Sequence, residues 1–322
     1  MPELGLYPTP VERLEALFSA RTSLWVKRDD LTHPLYGGSK LRKLGRLLDD
    51  ARELGATRLV TVGAVGSHHV LCTGIFGKRA GFEVAAAVLR QPQSAHALET
   101  LRASIGQGVE LVPAASYAEA ARYLVASAAD GAYVIPAGGS NRLGTLGVLD
   151  AATELAAQVR AGVLPEPDLI VVALGSGGTV GGLLAGLEQA RLRTRVLAVA
   201  VSEPVKLFAH KARALAKELV DDAHRPHVLA RLEIERDFLG RGYGYASTAG
   251  EAATERAASV GLRLDATYTA KAFAAALARV ALGSERHVVF WHTLSGASLA
   301  PLLLDAPLEP EIAPALRRLA ER

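Results

Sequence analysis

The chain has 322 residues, of which 50% are hydrophobic and 21% are charged, and this composition is typical of a globular protein with a sizeable core. A formal net charge of +3, spread without a long basic block, argues against nucleic-acid binding, and the single cysteine, Cys72, excludes an intramolecular disulfide. No apolar run is long enough to cross a bilayer and the first residues, from Met1 to Leu4, do not resemble a secretory signal, so we expect a cytoplasmic protein.

The first feature along the chain is a glycine turn at residues 37–40, with the sequence Gly-Gly-Ser-Lys. A lysine held on such a turn can present its amine to an aldehyde once it has lost its proton, which desolvation and nearby cations promote. Arg42 and Lys43 supply such cations. The alternative for Lys40 is an ordinary solvated surface lysine.

From residue 57 onward, short apolar strands alternate with helices. The first series comprises predicted strands at 58–62, 84–89, 110–113 and 133–136, and predicted helices at 69–80, 95–104 and 117–129. Continuous apolar strands separated by helices are typical of a parallel sheet that is covered on both faces. The helix at 69–80 carries Cys72, which we interpret as a small buried apolar residue.

A second series follows further along the chain. It comprises predicted helices at 143–160 and 180–190, predicted strands at 169–174, 195–201 and 287–290, and a predicted polar surface loop at 221–227. Two series of this kind indicate two sheets, and the chain divides naturally near residues 45 and 148.

A second glycine-rich run, Gly-Ser-Gly-Gly-Thr at 175–179, connects the buried strand 169–174 to the next helix. Free N–H groups at a helix start favour a phosphate dianion, and glycines let the backbone approach it closely. Dinucleotide and nucleophile-elbow fingerprints fail here, because position 180 is valine and position 174 is leucine. The alternative is a tight turn in which the glycines serve packing alone.

Pyridoxal 5′-phosphate (PLP) carries an aldehyde and a phosphate on one ring. A lysine turn and a phosphate loop in one chain therefore indicate a PLP enzyme, which neither motif would indicate alone.

The chain resembles the PLP-dependent family of D-cysteine desulfhydrase and 1-aminocyclopropane-1-carboxylate deaminase. Matching segments are Lys-Arg-Asp-Asp-Leu at 27–31, Gly-Gly-Ser-Lys-Leu-Arg-Lys-Leu at 37–44, Gly-Ala-Val-Gly-Ser-His-His at 63–69, Val-Ile-Pro-Ala-Gly-Gly-Ser-Asn at 134–141, the loop at 175–179, Gly-Tyr-Gly at 242–244, Leu-Asp at 264–265, Tyr-Thr-Ala-Lys at 268–271 and His-Thr at 292–293. These matches follow the family's order through nearly the whole chain.

The resemblance implies an α/β protein of fold type II, the tryptophan-synthase-β-like architecture, with two three-layer α/β domains on parallel-rich sheets. It implies that residues 1–45 and 149–322 form a large PLP-binding domain and that residues 46–148 form a smaller inserted α/β domain. It also implies a small amino acid as substrate and a homodimer as the assembly.

The resemblance further implies roles for individual residues. By position, Lys40 is the Schiff-base lysine, Ser67 is the catalytic serine beside the substrate carboxylate, and Tyr243 and Tyr268 are active-site tyrosines. The implied cofactor contacts are Lys40, Lys43, His68, Gly175, Ser176, Gly177, Gly178, Thr179, Thr269 and Thr293. No metal site is expected, because the adjacent histidines at 68 and 69 do not share a helix face.

Three departures from the family pattern bear on the substrate. Ser39 replaces an asparagine before the lysine, Gly66 and His68 replace glutamine and asparagine around the serine, and Leu294-Ser295 replaces Gly-Gly. The residue at position 68 would bond the ring hydroxyl of PLP, and an imidazole can do so too, although it is bulkier and titrates near neutrality. We therefore expect the cofactor to be retained and the substrate to be open to change.

We predict a PLP-dependent lyase or deaminase in which substrate proton loss precedes β-elimination or ring opening, releasing a 2-oxo acid and ammonia. Thr269 and Thr293 stand where the deaminases carry glutamate and leucine, which favours D-cysteine desulfhydrase-like elimination. A hydroxyl partner would leave the ring nitrogen unprotonated and the electron sink weaker. The alternatives are a PLP enzyme of specialised metabolism with another amino-acid substrate and a non-catalytic PLP-binding protein.

Overall fold

The computed structural model describes residues 4–17 and 21–320. Residues 1–3, which belong to the segment compared above with a secretory signal, lie outside these ranges. The chain forms two compact units. Of the described residues, the small unit takes 44–139 and 298–320, and the large unit takes 4–17, 21–43 and 140–297.

The described residues form ten strands and twelve α-helices. The strands are β1 (Val11–Arg13), β2 (Ser23–Lys27), β3 (Arg58–Ala64), β4 (Glu83–Leu89), β5 (Glu110–Pro113), β6 (Tyr133–Val134), β7 (Leu169–Leu174), β8 (Arg195–Ala200), β9 (Leu232–Glu235) and β10 (His287–Trp291). The helices are α1 (Ser39–Glu53), α2 (His68–Arg79), α3 (Ala95–Gly106), α4 (Tyr117–Ala129), α5 (Arg142–Arg160), α6 (Gly178–Gln189), α7 (Val205–Lys217), α8 (Arg225–Ala230), α9 (Thr248–Ala258), α10 (Thr269–Leu282), α11 (Ala300–Leu303) and α12 (Pro314–Leu319). None of these helices is long and apolar enough to cross a membrane.

The large unit is built on a six-stranded sheet in the order β1-β2-β10-β7-β8-β9, in which only the β1–β2 pair is antiparallel. Alternate residues of β7 point to opposite faces of the sheet. Ile170 and Val172 pack into one core with α5, α6 and α7, whereas Leu169 and Val171 pack into another with α9 and α10. The unit therefore has three layers, as predicted.

The small unit is built on a parallel four-stranded sheet in the order β5-β4-β3-β6. Helix α2 packs on one face, where a Cβ at Gly77 would lie 2.8 Å from Val84. Helix α4 packs on the other face, where Ala120 shares a small core with Ala87 and Leu89. This unit is also three-layered, and Cys72 is buried within it as predicted.

The end of the chain differs from the division drawn from the sequence, which put the segment from 298 onward with the large domain. In the structure this segment packs in the small unit. The backbone amide of Gln91 donates to the Leu319 carbonyl at 3.1 Å, and the Arg102 guanidinium donates to the Pro307 carbonyl at 2.7 Å. Hydrogen bonds to distant backbone carbonyls leave no pattern in the sequence, so the packing of the segment could not be predicted from it.

The prediction of a surface loop at residues 221–227 is wrong. A 3-10 turn, Asp222–His224, leads directly into α8. Pro226 lies in the first turn of α8, where a missing N–H costs nothing, and Val228 buries its side chain beneath the helix. The polar composition reflects the exposed side of this short helix.

Candidate active site

The turn before Lys40 is held by the backbone of the large unit. Gly38 adopts a left-handed conformation with φ of +96°, and a Cβ there would lie 2.7 Å from the Thr293 carbonyl oxygen. The Gly38 amide donates to the Asp29 carbonyl at 3.0 Å, and the Ser39 amide donates to the Thr293 carbonyl at 3.2 Å. Only glycine fits at position 38, and the turn places Lys40 in the first turn of α1 beside the segment that follows β10.

Two of the departures from the family pattern stabilise this turn. The Ser39 hydroxyl donates to Asp29 Oδ2 at 2.8 Å. The Ser295 hydroxyl accepts from the Gly37 amide at 2.9 Å. Serine at positions 39 and 295 therefore serves the local geometry of the lysine turn.

A buried ion-pair network anchors the same turn. Asp29 is fully buried and accepts hydrogen bonds from Arg42 at 2.7 Å and from the Trp291 indole at 2.8 Å. Arg42 also pairs with Glu154 at 3.0 Å, and Glu154 contacts Lys27. Burial alone would raise the pKa of the Asp29 carboxyl, but the nearby Arg42 and Lys27 hold it below its usual value. The network joins the start of α1 to the carboxyl ends of β2 and β10.

Replacing Asp29 with asparagine is expected to lower the free energy of unfolding by about 3–5 kcal/mol, because it removes one of the two carboxylates that pair with Arg42 and leaves that buried charge only partly compensated. Urea denaturation measures this loss, and Asp49→Asn, at a half-exposed position on α1, is the matched control with little expected effect. Because the pKa of Asp29 is lower in the folded state, its contribution is present above its unfolded pKa and is lost as pH falls through the folded value. Equal stability of the two variants would contradict this role.

The structure brings Lys40 together with both predicted tyrosines. Lys40 Nζ lies 5.8 Å from the centroid of the Tyr268 ring, and the Tyr268 hydroxyl donates to the Tyr243 hydroxyl at 3.0 Å. A Cβ at Gly175 would lie 3.1 Å from Tyr268 Cε1, so the glycine loop passes directly beside the ring. An amine and two phenol groups thus line one surface at the carboxyl end of β7.

The glycine loop forms a corner with Lys43. Gly177 is left-handed with φ of +89° and caps α6, which starts at Gly178. Lys43 Nζ contacts the Ser140 hydroxyl at 3.2 Å, and Ser140 contacts the Ser176 hydroxyl at 2.7 Å. A Cβ on Gly178 would lie 2.5 Å from Ser140 Oγ and 2.8 Å from Lys43 Nζ. An ammonium, two hydroxyls and the first amides of a helix form a donor set that fits a phosphate dianion.

The electrostatics of this corner also favour an anion. Lys43 is 1% exposed, and burial, together with the charges of Lys40 and Lys211, lowers the pKa of its ammonium well below the usual value. A bound anion would offset both causes. Thr179, also buried, lies in the first turn of α6. No role was assigned to Ser140 from the sequence. The Gly-Gly-Ser-Asn run at 138–141 is typical of a tight turn but does not indicate a phosphate contact.

Thr269 lies at the start of α10 and is 1% exposed. Its hydroxyl donates to Asp265 Oδ1 at 2.6 Å and accepts from the Asp265 amide at 2.7 Å. The resemblance assigns this hydroxyl to the ring nitrogen of the cofactor, whereas in the structure its proton is directed at a carboxylate. Thr293 is half-buried, and its backbone carbonyl oxygen lies next to Gly38.

Ser67 and His68 belong to the small unit. Ser67 caps α2, where its hydroxyl accepts from the Val70 amide at 3.4 Å. His68 Nε2 lies 3.0 Å from His96 Nε2, a contact between two helices that no local pattern predicts. The departure at Gly66 has a steric reason, because a Cβ there would lie 2.7 Å from Ala97.

The chain is similar to known proteins over nearly its whole length. Residues 2–293 match the family described as "Pyridoxal-phosphate dependent enzyme". A putative 1-aminocyclopropane-1-carboxylate deaminase of Thermotoga maritima is 31% identical over 300 residues, which cover 90% of this chain and 95% of the relative. A D-cysteine desulfhydrase of Klebsiella pneumoniae is 33% identical over 302 residues, which cover 89% and 91% respectively.

Solved structures give the same result for the fold. The crystal structure of an ACC (1-aminocyclopropane-1-carboxylate) deaminase homologue superposes with a TM-score of 0.79 at 29% identity, over 94% of this chain and 95% of the homologue. A fungal L-serine ammonia-lyase from Rhizomucor miehei superposes with a TM-score of 0.66 at 17% identity, over 93% and 97%, which shows a shared fold alone. These neighbours are fold type II PLP enzymes, and the fold class predicted from the sequence is confirmed.

Proposed function

Because this chain belongs to the family of pyridoxal-phosphate dependent enzymes, we propose that it eliminates sulfide from D-cysteine, releasing a 2-oxo acid and ammonia. The observation that carries the proposal is the position of Lys40 Nζ, 5.8 Å from the ring of Tyr268, whose hydroxyl bonds that of Tyr243. This arrangement offers an amine and a chain of two phenols at one place, as an elimination with two proton transfers requires.

The residues of the large unit fit PLP. Lys40 would bond its aldehyde, and Lys43, Ser140, Ser176 and the residues that start α6 would hold its phosphate. When bound, PLP supplies the electron sink that stabilises the negative charge left at Cα by proton loss. We assign Thr269 to the ring nitrogen, and we assign the ring-hydroxyl contact to His68 and the substrate carboxylate to Ser67. These three assignments rest on the family resemblance.

The chain's own groups account for the proton movements. Lys40 takes the Cα proton, and the tyrosine pair supplies a proton to the leaving sulfur. The C–S bond breaks, its electrons leave with sulfur, and one water then releases the nitrogen as ammonia. D-Cysteine and water thus become 2-oxopropanoate, hydrogen sulfide and ammonia, with no change in overall oxidation state.

Thr269 and Thr293 support D-cysteine over a cyclopropane substrate. The resemblance places these two threonines where the deaminases carry glutamate and leucine, and it associates the threonines with the desulfhydrases. The relatives include proteins of both names, at 31% and 33% identity, so overall similarity does not separate the two substrates.

Release of 2-oxo acid from D-cysteine, β-chloro-D-alanine and 1-aminocyclopropane-1-carboxylate tests the substrate directly. We expect turnover of the first two and slower or no turnover of the cyclopropane. Faster turnover of the cyclopropane would replace elimination by ring opening as the activity. No turnover of any of the three would contradict the proposal and favour a different amino-acid substrate or a binding function.

The proposed phosphate site, which we call the phosphate corner, consists of Lys43, Ser140, Ser176 and the start of α6, and it gives a second prediction. Lys43→Met should weaken PLP affinity about 10- to 100-fold, because a charge-assisted hydrogen bond contributes about 1.5–3 kcal/mol. Affinity for pyridoxal, which lacks the phosphate, should change little. Equilibrium binding of both compounds measures the difference, and Lys206→Met, at an exposed position on α7, is the control. An equal loss for both compounds would show that Lys43 serves packing alone.

We also propose a homodimer, as the resemblance implies, and a cytoplasmic location, as expected from the composition and the first residues of the sequence. Light scattering of the purified protein measures its mass in solution, and a monomer at micromolar concentration would contradict the dimer.

A further inference from the structure

The hydroxyl of Thr269 has one proton and two lone pairs to distribute. The proton goes to Asp265 Oδ1 at 2.6 Å, and one lone pair accepts from the Asp265 amide at 2.7 Å. One lone pair is left. In this arrangement the hydroxyl can accept a further hydrogen bond but cannot donate one.

Asp265 is held as an acceptor. It is 6% exposed, and three backbone amides point at its carboxylate, from Thr267 at 3.0 Å, Tyr268 at 2.8 Å and Thr269 at 3.0 Å. The start of α10 follows immediately, and a helix N-terminus favours a negative charge. Amide donors and helix start together stabilise the ionised carboxylate, which can only accept, so the shared proton belongs to Thr269.

We propose that Asp265 is a positioning residue that turns the Thr269 hydroxyl into an acceptor toward the cofactor's ring nitrogen, so that this nitrogen keeps its proton. The inference rests on the proposed function, which places Thr269 at that nitrogen. A ring nitrogen without a proton would direct its lone pair at an oxygen lone pair, which is repulsive. A protonated nitrogen would donate to Thr269 and would be attracted by the carboxylate behind it. The expectation of an unprotonated ring nitrogen, drawn from the threonine alone, is thereby reversed.

Asp265→Asn is the informative variant because its amide has a preferred orientation. The Thr267 and Tyr268 amides both point at Oδ2, so the asparagine oxygen is expected there and its NH₂ group toward Thr269. The NH₂ group would donate to Thr269, whose proton would then be free to bond an unprotonated ring nitrogen. The variant keeps the shape of the site, reverses the direction of the bond to the Thr269 hydroxyl, and loses the bond that the Thr269 amide donates to Oδ1 at 3.0 Å.

The test is nuclear magnetic resonance of the holoenzyme loaded with PLP that carries ¹⁵N at the ring nitrogen. We expect a directly bonded proton on that nitrogen in the parent protein and in Thr269→Ser, and loss of that proton in Asp265→Asn. Circular dichroism and PLP content establish that each variant is folded and loaded. An unprotonated nitrogen in the parent would overturn the inference, whether or not Asp265→Asn folds. A retained proton in a folded Asp265→Asn would overturn the role of Asp265.

Thr269→Val separates this inference from the proposed function. Its ring-nitrogen resonance should differ from that of the parent, because the hydroxyl acceptor is gone. An unchanged resonance would overturn the placement of Thr269 and with it the inference. Release of 2-oxo acid from D-cysteine by the parent is a separate readout. A parent that turns over D-cysteine with an unprotonated ring nitrogen would overturn the inference and leave the proposed function standing.

Discussion

Replacing Lys40 with alanine is expected to lower turnover of D-cysteine about 10⁴-fold or more, the upper end of the range for a single proton-transfer group. The loss should reach that end because the side chain has two tasks, bonding the cofactor aldehyde and carrying the Cα proton. Steady-state release of 2-oxo acid measures the effect. The variant should still bind PLP without a covalent bond, since the phosphate corner is intact.

Lys40→Arg is the matched control for charge. A guanidinium stays protonated and cannot take either role, so this variant should be as inactive as alanine although it keeps the positive charge beside Tyr268. Substantial activity in either variant would show that the reaction does not depend on the amine of Lys40.

Ser67→Ala is expected to lower turnover about 10²–10⁴-fold while PLP content stays near that of the parent, if the hydroxyl acts on the substrate side. The ratio of kcat to bound PLP is the quantity to measure. Loss of PLP with unchanged turnover per bound cofactor would make Ser67 a cofactor contact instead.

Ser67 also caps α2, so the structural cost of its removal needs a control. Ser94 caps α3 in the same unit, where its hydroxyl accepts from the Ala97 amide at 3.1 Å. Each substitution by alanine should cost about 1 kcal/mol of stability. Only the change at Ser67 should affect turnover, and an equal loss of turnover in both variants would mean that the effect comes from stability.

The secondary structure could be predicted where local patterns decide it. The strand at 169–174 is apolar throughout because both faces of its sheet are covered, and the structure gives these bounds. The helix Tyr117–Ala129 was also predicted at its observed bounds. Ser116 caps its start, and the left-handed Gly131 lies just beyond its end.

The contacts that give the site its chemistry could not be predicted, because they join residues that are distant in the chain or depend on direction. Ser140 meets Lys43 across 97 positions, and His96 meets His68 across 28 positions. Asp265 lies in a segment that the sequence analysis quoted. Which way the Thr269 proton points depends on three backbone amides, and no residue pattern records their direction.

Borohydride reduction of the PLP-loaded protein, followed by peptide mapping, tests the central claim most directly. Reduction fixes the cofactor to the amine that bonds its aldehyde. The account predicts the phosphopyridoxyl group on Lys40, in the peptide that follows Gly37-Gly38-Ser39. A group fixed on Lys43 or on any other lysine, or no fixed group in a protein that contains PLP, would contradict it.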